Sequence, residues 1–291
     1  MKAARTMLKP FRRLRTRAGC LEGLKFLWLE ITPKCNLTCN HCYADSGPYL
    51  ALSGQMTFGD WCRLMDEARA SGCRSVQFIG GEPTLHPDLP RLVEHARSAG
   101  FPNCEVFTNA TRLDDDLVET FRKCRVHVSF SFYSSDPEVH DRITGHAGSH
   151  EKTVAGIRKL VKRRVRVRAG VIRMPQNRGH VGSAKWFLRR LGVWSIATDR
   201  VRGVGRGADV VPDASARGQL CGRCWSGLLS VDSNGDGYPC VFSRSVVVGN
   251  FLKDGMKGIL EGNSLRAFRR RIYLDEPEGC GNDGIHMRAF P

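Results

Sequence analysis

The sequence lacks several features that would each mark a particular kind of protein. It has no run of eighteen apolar residues, so no segment reads as a membrane span. Residues 1–17 carry seven Lys/Arg and no acid, without the apolar stretch of a secretory signal. That composition overlaps with organelle transit peptides, yet arginine-rich usage runs through the whole chain, so the expected location is cytoplasmic. No internal repeat or low-complexity tract is present, which excludes solenoid and fibrous classes. Acidic residues are the scarce charge: 29 Asp/Glu stand against 45 Lys/Arg, a net +16 over 291 residues. The excess sits in the N-terminal tail, in Arg158–Arg173 and around Arg266–Arg271. Such a field favours acidic partners, either nucleic acid, a nucleotide-linked substrate or an acidic peptide, or it is a solvated face.

Hydrophobic content of 41% and charged content of 25% describe an ordinary globular chain. Its twelve cysteines, without a secretion signal, point to metal binding or catalysis before disulfides. The apolar pattern predicts strands at Leu24–Ile31, Ser75–Ile79, Cys104–Thr108, His127–Phe132, Val165–Ile172 and Trp194–Thr198. Helices are predicted at Thr57–Ser71, Asp88–Ala99, Asp114–Lys123, Ser149–Val161 and Gly182–Leu191. Strand–helix alternation of this kind implies parallel βα units, in a barrel or an open sheet, with the site at the strand C-termini. Gly203–Gly218 breaks the periodicity and reads as a linker; its Gly203-x-Gly205-x-Gly207 opens no helix and does not support a nucleotide-binding turn. Beyond it come short strands at Leu228–Val231, Tyr238–Val241 and Val246–Val248, then one helix near Met256–Ile272. Asp232–Gly237, DSNGDG, lacks the late Glu of a calcium loop and reads as a hairpin turn.

Cys35-x3-Cys39-x2-Cys42 sets three soft thiolates on one loop. Spacing alone favours an iron–sulfur cluster with one open iron, and leaves open a structural zinc with His41 as fourth ligand. The segment CNLTCNHC, between a strand and a helix, resembles the cluster motif of the radical S-adenosylmethionine (SAM) superfamily. Gly80-Gly81-Glu82-Pro83, one βα unit later, looks like that family's SAM-binding turn. The resemblance covers about residues 24–200 and implies an α/β fold, a partial (β/α)6 radical SAM barrel. It further implies a [4Fe-4S] cluster on Cys35, Cys39 and Cys42, with SAM chelating the fourth iron. His41 would lie near the adenine, Gly80 and Gly81 would approach the methionine part, and Glu82 would receive its ammonium. Ser129 and Ser131 would serve the ribose hydroxyls, and Arg168 the SAM carboxylate. Reductive cleavage of SAM would then yield a 5′-deoxyadenosyl radical that takes hydrogen from substrate, the radical chemistry belonging to the cofactor.

In the tail, Cys224, Gly235 and Cys240 resemble the opening of the twitch and SPASM extensions of that family, which hold auxiliary clusters. Cys221, Cys224, Cys240 and Cys280 could close a second [4Fe-4S] cluster in a small C-terminal β-hairpin/helix domain. Cys280 is followed by Asp283 where a Cys-x2-Cys pair often stands. Either Cys221 takes that place, or an iron is left open and Cys221 is free. A zinc ribbon-like arrangement remains the other reading. Cys62 and Cys73 read as small packing residues, and Cys221 or Cys124 as hydrogen donors that would quench a substrate radical. The expected domains are a basic tail at 1–20, the radical SAM core at 21–215 and the auxiliary domain at 216–291.

The resemblance implies a natural-product tailoring enzyme. It acts either on a ribosomal peptide (epimerisation, crosslinking or oxidation) or, as epimerase or dehydrogenase, on a sugar or aminocyclitol of an antibiotic. The positive field favours an acidic leader peptide over a polycationic aminoglycoside. No spare segment of about eighty residues is expected to serve as a leader-binding domain, so a separate leader-binding protein is an expected partner. An external flavodoxin or ferredoxin is the expected reductant. An RNA-modifying enzyme and a zinc-stabilised nucleic-acid-binding protein also accord with the charge, but no RNA module accompanies it and the second gives Gly-Gly-Glu-Pro no role.

Overall fold

A strand buried on both faces must be apolar on both, and Phe26–Thr32 (β1, FLWLEIT) is buried at every position. The computed structural model describes residues 23–212 and 217–274. Strands β2 (Ser75–Gly80), β3 (Asn103–Thr108), β4 (His127–Phe132), β5 (Arg166–Arg173) and β6 (Ser195–Arg200) follow β1 in parallel, each beside its predecessor. Helices α1 (Phe58–Ala70), α2 (Leu89–Ser98), α3 (Asp115–Lys123), α4 (Pro137–Thr144), α5 (Ser149–Lys162) and α6 (Val181–Arg190) make the crossovers. Local chemistry sets their starts: Thr57 caps α1 in a reciprocal box with Asp60, and Asp114 caps α3 through the Leu117 N–H.

Two-residue alternation divides the sheet into two faces. Leu27, Leu29, Val76, Phe78, Val106, Val128, Phe130 and Val171 join the helix-side core with Trp61, Leu92, Phe121 and Ile157. The alternate residues, Glu30, Gln77, Glu105, Ser129 and Arg168, line the inner, concave face. One face is thus greasy and helix-covered, while the other sets these polar and charged groups beside Phe26, Trp28, Ile79 and Phe107, against which the C-terminal part packs. This is the expected partial barrel.

The C-terminal part does not stand apart. After the helical turn α7 (Gly207–Val210), strand β7 (Leu228–Asp232) pairs in parallel with β1, Trp28 opposite Ser230. Strands β8 (Asp236–Tyr238) and β9 (Gly249–Asn250) extend it antiparallel, giving the order β6-β5-β4-β3-β2-β1-β7-β8-β9. Asp232–Gly237 is the expected hairpin turn, with the Asp232 carboxylate accepting from the N–H groups of Asn234 and Asp236. Three expectations need correction. The second short strand ends at Tyr238, because Cys240 and Val241 turn inward to pack on Phe26 and Trp28. The third lies at Gly249–Asn250, just past Val246–Val248. The single final helix is two, α8 (Phe251–Glu261) and α9 (Asn263–Leu274), broken at Gly262. The tail 1–20, the boundary near 215 and Cys280 lie outside the described residues.

Candidate cluster and cofactor site

The cysteine loop follows β1 directly, and neighbouring elements strap it from several sides. Thr38 and Asn40 donate their N–H groups to the carbonyls of Thr144 and Ile143, so the end of α4 holds the loop's middle. Helix α4 is eight residues long and mostly polar, too short for apolar periodicity to announce it in the sequence. Asn109, at the end of β3, donates to Asn36 Oδ1 at 3.0 Å and faces Cys35 Sγ at 3.9 Å. Opposite, Gly81 donates to the Thr32 carbonyl at 2.6 Å and Glu82 to the Lys34 carbonyl at 2.8 Å. A Cβ on Gly80 would stand 2.2 Å from the Thr32 oxygen, and one on Gly81 2.1 Å from the Lys34 oxygen. Only glycine permits this contact, so the Gly-Gly-Glu-Pro turn and the cysteine loop form one seam.

Within the seam, burial holds the thiols of Cys35 and Cys39 protonated: Cys35 is pushed up to about 12, by burial first, with Glu82 and then Cys42 adding to it. Cys39 is raised further, by burial first and then by Cys42 and Cys35. A metal centre binds the thiolate form, so its binding must expel these protons. A four-iron cluster gives each of three thiolates its own iron, which suits a donor set of three cysteines.

His41 lies 4.9 Å, ring to ring, from buried Tyr133, and its Nε2 is buried without a hydrogen-bond partner. Burial, with Arg206 second, lowers its pKa to about 4, so the ring is neutral at pH 7. A neutral ring with an unsatisfied buried nitrogen suits the edge of a base, as an adenine would present it. Asn40 Oδ1 is likewise buried and unpartnered.

The other expected SAM contacts divide. Ser131 hydrogen-bonds Tyr133, close to His41. Ser129 and Arg168 lie on the inner face, as expected, but Arg168 pairs with Glu105 at 2.7 Å and donates to Ser129 at 3.1 Å, while Ser129 also donates to Glu105. Glu82 is not an open carboxylate. Oε1 accepts from Thr84 N–H, Thr84 Oγ1 and Thr108 Oγ1, and Oε2 from Asn109 N–H at 2.7 Å. It is therefore first a brace between the ends of β2 and β3. Thr108-Asn109, at a strand C-terminal end, lies where the sequence pattern puts the site; sequence reasoning missed Tyr133 and Glu105, and Tyr133 too follows a strand directly, which is the signal that could have found it.

In the tail, Cys224 Sγ lies 3.4 Å from Cys240 Sγ and also contacts Cys221. The shared proton raises Cys224 and lowers Cys240. Three of the four expected auxiliary ligands are thus together, in an apolar pocket with Trp225, Phe268 and Ile272. Cys124 is a correction: it caps α3 on the helix-covered side, near Glu94 and Arg97, away from the concave face. Cys62 and Cys73 pack against the helix-side core as expected. Beside the seam an open cleft is lined by Glu30, Thr32, Gly80, Asp232 and Arg244. Arg244 pairs with buried Glu30 across it, tying the auxiliary domain to β1.

A partial parallel barrel thus carries a three-thiol loop after its first strand, with more thiols packed against its inner face, a donor set of the kind that iron–sulfur proteins use. The radical SAM superfamily profile matches residues 29–181, over half the chain, and the chain belongs to that superfamily. A SPASM profile, an iron–sulfur cluster-binding domain, matches residues 221–282. SAM and [4Fe-4S] clusters are its cofactors. The antilisterial bacteriocin subtilosin biosynthesis protein AlbA of Bacillus subtilis is 24% identical over 79% of this chain and 58% of its own length. The PqqA peptide cyclase of Granulibacter bethesdensis is 33% identical over 46% of this chain and 36% of its own. The chain therefore spans well under two thirds of these curated relatives. Streptococcus suis SuiB bound to S-adenosylmethionine shares the fold with TM-score 0.68 at 15% identity, covering 92% of this chain and 72% of that one. Among the described residues no helix is long and apolar enough to cross a membrane.

Proposed function

We propose that this chain is a radical SAM enzyme that tailors a ribosomally made peptide by abstracting a hydrogen atom from it. Cys35, Cys39 and Cys42 hold the barrel cluster, and Cys221, Cys224 and Cys240, with Cys280, hold the auxiliary one. The observation that carries the reading is the seam: a strapped three-thiol loop against a glycine turn that no side chain could enter. When bound, the cluster and SAM together supply a 5′-deoxyadenosyl radical. The chain's own residues then position and shield. Gly80 and Gly81 would let the backbone approach the methionine part, His41 and Ser131 would border the nucleoside, and Glu82, which fixes the turn, would supply negative charge for the ammonium. Glu105, Arg168 and Glu30–Arg244 make a polar inner wall suited to peptide groups.

The peptide reading draws support from the relatives' names, bacteriocin biosynthesis and peptide cyclisation, and from a SuiB structure bound to the precursor peptide SuiA. The field of +16 suits an acidic leader and opposes a polycationic aminocyclitol. A flavodoxin or ferredoxin supplies electrons, and a separate leader-binding protein delivers the peptide. The core spans 21–215 and the auxiliary domain 216–291, in the cytoplasm.

Anaerobic reconstitution tests this. The wild type should take up iron and sulfide for two four-iron clusters and release 5′-deoxyadenosine from SAM under reduction. Joint replacement of Cys35, Cys39 and Cys42 by Ala should abolish that release; undiminished release would defeat the assignment. With a precursor peptide, crosslinking or oxidation shows as loss of two hydrogens by mass, and epimerisation in heavy water as uptake of one deuteron. Turnover of an aminocyclitol with no change in any peptide would overturn the substrate class.

A further inference from the structure

The segment Gly203–Gly207, which reads as a linker, closes over the cysteine loop from far along the chain. Arg206 makes the contact. Its Nε donates to the Cys39 carbonyl at 2.9 Å and its Nη2 to the Ser46 carbonyl at 2.7 Å. Its backbone N–H is shared between the Cys42 carbonyl at 3.0 Å and Asp45 Oδ1 at 2.7 Å. One residue thus ties down four acceptors spread over Cys39–Ser46. The glycines on either side make the approach possible. Gly205 has φ +56°, and a Cβ there would stand 2.5 Å from the Cys42 oxygen; one on Gly207 would stand 2.0 Å from the Arg202 oxygen. The segment is anchored in turn. Arg202 grips the Asp199 carboxylate at 3.0 and 3.1 Å, and Gly203 N–H donates to Gln219 Oε1 at 2.7 Å.

We infer that Arg206 is a positioning residue for the barrel cluster, clasping the cysteine loop shut and fixing a positive charge beside Cys39. The inference rests on the reading that Cys35, Cys39 and Cys42 hold that cluster. Three thiolates and turned-in carbonyls make the loop a negative place, and a one-electron reduction adds another negative charge there. Net charge and hydrogen bonding around the ligands tune such potentials. A guanidinium bridges two carbonyls with a rigid fork, while an ammonium supplies charge without the fork.

The test uses the full chain with both clusters reconstituted anaerobically, as wild type, Arg206→Gln and Arg206→Lys. The readouts are the midpoint of the SAM-responsive cluster by EPR-monitored titration and the rate of its iron loss to a ferrous chelator. The auxiliary cluster's midpoint is the internal control. Arg206→Gln should shift the barrel cluster's reduction equilibrium at least about tenfold toward the oxidised form, about 59 mV for one electron. Its iron should be lost about tenfold faster, the scale of one charge-assisted hydrogen bond. Arg206→Lys should keep the midpoint near wild type but lose iron faster. Wild-type midpoint and wild-type iron loss in Arg206→Gln overturn the inference. If Arg206→Gln fails to hold any cluster, Arg206→Lys decides: faster iron loss upholds the clasp and unchanged loss overturns it. A wild type with no SAM-responsive cluster would sink the reading of the loop itself, a distinguishable failure.

Discussion

Alanine in place of Gly81 probes the seam between the cysteine loop and the glycine turn, and its effect can be worked from geometry. The new Cβ would lie 2.1 Å from the Lys34 oxygen and 2.5 Å from its carbonyl carbon, where real contacts essentially never fall below 3.0 Å. The shortfall of about 0.9 Å is against backbone, so no side chain can rotate to relieve it. Lys34 must move, and it is bonded to Cys35; the Glu82 N–H bond to the Lys34 carbonyl moves with it. A misplacement of about 1 Å in a catalytic arrangement costs roughly a hundredfold in rate. Gly81→Ala should therefore release 5′-deoxyadenosine about a hundredfold more slowly than wild type, at comparable auxiliary-cluster content. Gly182→Ala is the control. It lies in α6 with nothing within 4 Å of its new Cβ, and should be neutral or stabilising by about 0.5–1 kcal/mol. A Gly81→Ala rate within about threefold of wild type would refute the seam.

Further outcomes follow from other contacts. Cys240→Ala, which removes the partner of Cys224, should lower bound iron by about half while SAM cleavage persists, as iron analysis would show; unchanged iron would end the auxiliary assignment. Glu105→Gln deprives Arg168 of its carboxylate on the inner face and should cost about 2–3 kcal/mol in urea unfolding. A cost under about 0.5 kcal/mol would place that pair in effective contact with water. His140 is buried against His150 at 5.3 Å, and burial lowers its pKa to about 4. Because the neutral ring is the folded form, its contribution is complete above the unfolded value near 6.5 and is lost as pH falls toward 4. The loss is about 3 kcal/mol, and His140→Gln should flatten the urea-unfolding profile of the metal-free chain by that amount. A variant profile as steep as wild type would assign the acid sensitivity elsewhere.

Where local chemistry decides structure, the sequence was readable. The strand at His127–Phe132 and the helix beginnings at Thr57 and Asp114 fall where the sequence pattern puts them, and both side chains cap their helices. The cysteine loop and the glycine turn were legible as chemistry because few residue types can hold iron or allow backbone contact. What escaped depends on partners distant in the chain. Alternation turned Ser129 and Arg168 inward, but nothing local reveals that Glu105, on another strand, engages both. Arg206 looked like part of a linker because its acceptors lie some 160 residues earlier. Gly262 was too weak a signal to divide the final helix, and the partner of β7 could not be read from five apolar-rich residues.

That last pairing bears on how the molecule is made. Ser230 on β7 bonds Glu30 on β1, two hundred positions upstream. During translation, the first strand therefore emerges with one margin bare and Trp28 wetted, and it waits for some two hundred further residues to be made. A ribosome stalled before Leu228 would release a product with an open, sticky border, prone to clumping and chaperone capture.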